Sequence, residues 1–163
     1  MAVLICIASV ARADASTMPG INQAQLAGQA TLRWFGVKVY DAELFTPNGA
    51  PYKRGSAAAL RLRYNVEFSR EELVGATIKE LVRLENAQAD HEVLRRKLGN
   101  CFAAVGRTDQ FLALAPKADQ IKFYLNGRQT CSLSHPDIRG RFLDIWLSPN
   151  SRNPRLSERL RGS

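Results

Sequence analysis

The stretch "GVKVYDAELFTP", Gly36 to Pro47, decides how this chain reads. Val37, Val39 and Leu44 give it strand chemistry, while Lys38 and Tyr40 share one side of the alternation. It is either an ordinary amphipathic strand or a strand whose polar side lines a pocket. The preceding "GQATLRW" also reads as strand, so the two are consecutive strands or one long strand, with Gly36 as bend or bulge.

Working outward, "PNGAPYKRGS" is a loop by its Pro, Gly and Asn content. "ALRLRYNVEF" alternates Leu60, Leu62, Tyr64 and Val66 against Arg61, Arg63, Asn65 and Glu67, a half-buried strand. Ser69 and Glu72 form a capping box for a helix that buries Val74, Ile78, Leu81, Val82 and Leu84. A second helix is expected over "ADHEVLRRKLGNCFAAV", with Val93, Leu94, Leu98 and Phe102 inward. "QFLALAP" and "QIKFYLNGRQTCSL" return to strand, and Asn126-Gly127 marks a hairpin. Ser134 and Asp137 are expected to cap a helix "PDIRGRFLDIWL" with Ile138, Phe142, Ile145 and Trp146 on its core face. "RLSERLRG" makes a last helix closed by Gly162. Strands, then helices, then a hairpin and more helix give an α+β chain of one domain.

The 163 residues suffice for a single core, and 45% hydrophobic with 23% charged residues is globular composition. The formal charge of +8 is scattered along the chain. There is no zinc-finger spacing, RNA-binding aromatic motif or basic heptad region, so no nucleic-acid partner is expected.

"AVLICIASV" is too short to span a membrane, and "ARADA" after it satisfies the small-x-small rule for signal peptidase. Residues 1–13, or 1–15, therefore read as a signal peptide, residues 14–24 as a polar linker and 25–163 as the domain. The other reading of the apolar run is a buried first strand or helix. Export implies a soluble periplasmic or secreted product without a stable membrane span. Cys6 leaves with the signal. Cys101 and Cys131 could pair in an oxidising compartment, but sequence does not place them within bridging range, and their apolar surroundings favour buried free thiols.

His91 and His135 have no second ligand at helical spacing, so no metal is expected. Ser132, His135 and Asp137 are close in sequence, but capping accounts for Asp137 and Ser134 better than a triad does. No Gly-rich phosphate loop follows a strand, and no cofactor is indicated. Trp146 reads as core.

The segments "LAGQATLRWFGVKVYDAELFTP", "LRYNVEFSREELV", "KFYLNG" and "RFLDIWLSPNSRNPRLSERLRG" together resemble the bacterial chalcone isomerase-like family of exported proteins. The resemblance runs from Gln25 to Gly162, and is most specific at "KVYDAEL" and at "IWL" followed by "RL" and Gly. It implies an open-faced antiparallel β-sandwich covered by helices. Plant chalcone isomerases close a flavanone ring, with an arginine at the anionic substrate and tyrosine and threonine hydroxyls near the enolate. Non-catalytic relatives hold a fatty-acid carboxylate with an arginine and a tyrosine.

The matching candidates are Arg33 and Tyr40, with Lys38 nearer the rim, and Thr31 or Thr77 for the threonine. Arg33 and Tyr40 are seven residues apart, one fewer than in the fatty-acid-binding relatives, which on a straight strand puts them on opposite faces. A bulge or turn at Gly36 would reunite them. Otherwise Arg33 is a surface cation and Tyr40 a core aromatic. Two functions follow: a binder of a small apolar anion such as a fatty acid, or an isomerase acting on a phenolic enone. Export is directly testable. N-terminal sequencing of protein from its native host should find Asp14 or Ser16 first, and intact Met1 in the soluble cytoplasm would rule the signal out.

Overall fold

The computed structural model describes residues 18–162. The expected signal segment, both cleavage positions and Cys6 lie outside the described residues. Strands β1 (Ala24–Trp34) and β2 (Val37–Pro47) form an antiparallel hairpin. Its two-residue turn has Phe35 at φ 46° and Gly36 at φ 79°. Two successive left-handed residues match the natural twist of a hairpin. Gly36 is thus a turn residue between two consecutive strands, one of the arrangements expected, rather than a bend or bulge within one long strand. The irregularity lies deeper. Leu32 pairs with Tyr40 but Arg33 pairs with Lys38, so Val39 is an extra residue in β2.

β3 (Ala58–Tyr64) continues the meander, followed by α1 (Arg70–Glu85) and α2 (His91–Cys101). β4 (Gln110–Lys117), β5 (Gln120–Leu125) and β6 (Arg128–Ser134) complete a six-stranded antiparallel sheet in sequential order. α3 (Ile138–Leu147) and α4 (Pro154–Arg161) end the described chain. The Asn126-Gly127 turn has both residues at positive φ, as the hairpin reading expects. The Ser69–Glu72 capping box is formed in both directions. Strand alternation ends at Tyr64, so Val66 falls outside β3.

One sheet face carries the helices. Leu44, Leu60, Leu62 and Phe123 are buried there against Ile78, Leu81, Leu94, Leu98, Phe142 and Leu143. Val82 and Val93, expected inward, are instead exposed, and His91 and Cys101 take inward positions on α2. The opposite face has a smaller cluster of Phe45, Ala59 and Leu114, covered by Ile21 from the segment before β1. α4 packs against β1. A methyl group on Gly28 would run into the Arg159 and Leu160 carbonyl oxygens, so only glycine permits this approach.

Two corrections concern covalent and polar detail. Cys101 and Cys131 are not free thiols: they form a disulfide, with Cα atoms 5.1 Å apart. The end of α2 lies over β6, where Lys97 also donates to the Ser134 carbonyl at 2.7 Å. That tertiary proximity, invisible in sequence spacing, brings the sulfurs together. Asp137 precedes α3 at φ 48° and makes no side-chain cap. Its carboxylate accepts instead from Arg54 at 3.0 Å, and Ser134 belongs to β6.

The disulfide closes a loop with a sequence separation of 30 residues. Loop-closure entropy on this scale stabilises a fold by about 2–4 kcal/mol. Replacing both cysteines by serine should lower denaturant stability by that amount, and reducing the wild type should reproduce the loss. An unchanged midpoint in both experiments would show that the link contributes nothing.

Candidate functional site

A cavity of about 630 Å³ lies between the β1–β4 part of the sheet and the helical layer. Its sheet side is built by Leu32, Val39, Tyr40, Leu62, Tyr64 and Phe111. The facing wall comes from Leu73, Ala76 and Thr77 of α1, Phe142, Ile145 and Trp146 of α3, and Leu156 of α4. A site this size, apolar with few polar groups, suits a small organic ligand.

The extra residue in β2 shapes the floor. In a bulge, two successive side chains turn toward the same side. Val39 and Tyr40 both line the cavity, and Lys38 does not. Lys38 is drawn to Asp41 at 2.6 Å, where Thr31 also donates to the Asp41 carboxylate at 2.7 Å. Asp41 is held below its ordinary value: burial pushes upward, but the bonds from Lys38 and Thr31 outweigh it.

Tyr40 is the central polar group. Its hydroxyl oxygen accepts from the Trp146 indole N–H at 3.0 Å. The proton of the hydroxyl is therefore available to a ligand atom. Burial pushes the Tyr40 hydroxyl up to about 12, the Trp146 bond pulls against this, and the charge of Glu80 adds to the rise. It is a neutral donor throughout the physiological range. Tyr64 stacks edge-on against it at 5.9 Å and is raised further, by burial and by Tyr40. Trp146, expected as plain core, is half-buried and serves as both wall and hydrogen-bond donor.

Charges gather at the exposed edge. Arg33 lines the cavity, is exposed, and donates to the Gly36 carbonyl at 3.3 Å. It makes no ion pair with a described residue. Lys79, Arg152, Glu72 and Glu80 also contribute. Glu80 accepts from Arg83 and Arg152, each at 2.8 Å through its Nε. Burial raises the Glu80 carboxyl, but these two arginines bring it below its ordinary value.

The cavity thus brings together Arg33 and Tyr40, leaves Lys38 outside, and separates the two threonines. Thr77 is on the wall, with its hydroxyl donating to the Leu73 carbonyl at 2.8 Å, while Thr31 is committed to Asp41. Sequence reasoning missed Ser151 and Arg152, which sit in an irregular connection without a periodic signal. The Ser151 hydroxyl is buried and has no hydrogen-bond partner among the described residues.

His91 and His135 serve a separate polar cluster. His91 meets Glu85 and His135 meets Asp90, each at 2.7 Å. Among the described residues, no group of His, Cys, Asp and Glu has the arrangement of a metal site.

No protein-family model matches the chain, and no curated protein matches it in sequence. Among solved structures it is similar to a fatty-acid binding protein of Arabidopsis thaliana, with a TM-score of 0.65 and 12% identity. The match covers 85% of this chain and 87% of the plant protein. The shared architecture is the chalcone isomerase-like one, an open antiparallel sheet layered with helices.

The Tyr40 environment can be read in alkali. An absorbance titration of wild type minus Tyr40→Phe should show a phenol ionising near 12 rather than the ordinary 10. Because the folded value is raised, the stability linked to this proton is full below pH 10. It should fall as pH rises through about 12. A difference curve centred at 10 would place the hydroxyl in open water.

Proposed function

We propose that this protein is a non-catalytic binder of a small apolar anion, of which a long-chain fatty acid is the best fit. The carrying observation is the cavity itself: apolar walls around a buried Tyr40 hydroxyl whose oxygen is already occupied by Trp146. An alkyl chain fits the walls, and a carboxylate accepts the Tyr40 proton. The buried Ser151 hydroxyl is a second donor in need of an acceptor. Arg33 supplies a cation without a competing described carboxylate. The plant fatty-acid binding protein, though similar only in fold, supports the same ligand class.

We place the protein in the periplasm or outside the cell. The apolar run with "ARADA" supports export, and the Cys101–Cys131 disulfide suits an oxidising compartment.

An isomerase reading has one observation in its favour: Thr77 and Tyr40 line the same cavity. Ring closure of a phenolic enone adds the phenolate oxygen to the β-carbon and a proton to the α-carbon, with no cofactor. Loss of chalcone absorbance beyond the spontaneous rate would support it, and an unchanged rate would remove it.

Calorimetry with a long-chain fatty acid tests the binding reading. Arg33→Ala should weaken binding by about 1.5–3 kcal/mol, and Tyr40→Phe by about 0.5–1.5 kcal/mol. The methyl ester should bind more weakly than the acid. The proposal fails if wild type takes no fatty acid, or takes it equally well without Arg33.

A further inference from the structure

The β1–β2 hairpin ends in an apolar tip that the cavity does not explain. Phe35 is 92% exposed, Trp34 69% and Val37 56%. Trp34 and Phe35 lie against each other, ring centroids 5.7 Å apart, so the two rings present one apolar surface.

The tip projects from the sheet. β3 pairs with β2 only from Tyr40 onward, with one further bond from the Asn65 N–H to the Val39 carbonyl. The Arg33–Lys38 and Trp34–Val37 rungs beyond it have no third strand. At the base stand Arg33, Lys38 and Arg63, with Asp41 paired to Lys38 and Glu72 farther along the cavity lining. Aromatic rings at a convex tip above a cationic collar match the two layers of a bilayer surface, acyl chains beneath anionic headgroups. A stable protein partner needs roughly 800 Å² of surface from each side, and a two-residue turn offers little of that. The tip is also continuous with the cavity, since Trp34 and Arg33 belong to both.

We infer that the Trp34–Phe35 hairpin tip is a membrane-docking element that inserts into an anionic phospholipid surface and sets the cavity mouth against it. Docking as such depends only on the tip; its use for exchanging an apolar anion with the bilayer rests on the binding function proposed above. Phe35 and Val37 do not line the cavity, so they separate the two properties.

The test is flotation with vesicles of phosphatidylcholine, with and without phosphatidylglycerol, comparing wild type with the double variant Phe35→Asn/Val37→Thr. Asparagine is at ease in the left-handed region that position 35 occupies, so the hairpin should persist, and an unchanged thermal midpoint verifies it. Wild type should partition onto the anionic vesicles more than onto neutral ones, and less at high salt. The double variant should lose at least about tenfold in partitioning, with fatty-acid binding intact. Wild type that ignores anionic vesicles, or a folded variant that binds them equally, would overturn docking. So would a dimer that the double substitution abolishes, since the tip would then serve a second copy. Vesicle binding without fatty-acid binding would remove the cavity function and leave docking in place; the converse would remove docking alone.

Discussion

One guanidinium ties the helical layer together. Arg141, near the start of α3, reaches Glu85 at the end of α1 through its Nε at 3.0 Å. It reaches Asp90, the residue before α2, through Nη1 at 2.7 Å. Its side chain is only 12% exposed, so the charge depends on these carboxylates rather than on water. His91 and His135 join the same carboxylates. Three helices and the end of β6 are thereby fastened at one corner.

That corner sets where the cavity can be. Arg141 clamps the start of α3 to the end of α1, and the cavity is lined by α1 residues from Glu72 to Glu80 and α3 residues from Phe142 to Trp146. The space therefore opens away from the clamp. Across it, the Trp146–Tyr40 bond joins helix to sheet, and the Glu80–Arg152 pair closes the outer side. A buried phenol between apolar walls stays neutral and directional. Such a group can donate a hydrogen bond to a ligand without the desolvation cost of a buried charge.

Two local signals in the sequence translated directly into structure, while the Ser134–Asp137 cap did not. Asn126-Gly127 and the Ser69–Glu72 box each depend on residues a few positions apart, and both are formed. Order and type of the elements followed from periodicity. Gly36 was legible as an interruption, by a bulge or a turn, but nothing in the composition marked Phe35 for the left-handed backbone that hairpin twist imposes. The true bulge at Val39 is set by pairing register and carries no composition signal, so Lys38 was assigned Tyr40's side. Tyr40 and Arg33 were legible as cavity residues through motif resemblance, and Ser151 and Arg152 were not. The Cys101–Cys131 link required knowing that α2 ends over β6, a tertiary fact.

The seat of α4 on β1 has a consequence for the order of folding. The Gly28 backbone receives the α4 carbonyls, and the Tyr52 N–H bonds to the Arg161 carbonyl at 2.9 Å. β1 and α4 stand at opposite ends of the described chain. During synthesis β1 emerges well before α4, and the surface that α4 covers stays exposed until that helix is made. Contacts of such long range form late because their loop entropy is met last. Apolar surface exposed in a partly folded chain is available to its neighbours. The nascent protein is thus most open to contact with a neighbouring chain in the interval before α4 docks, and any side chain at position 28 would obstruct that docking.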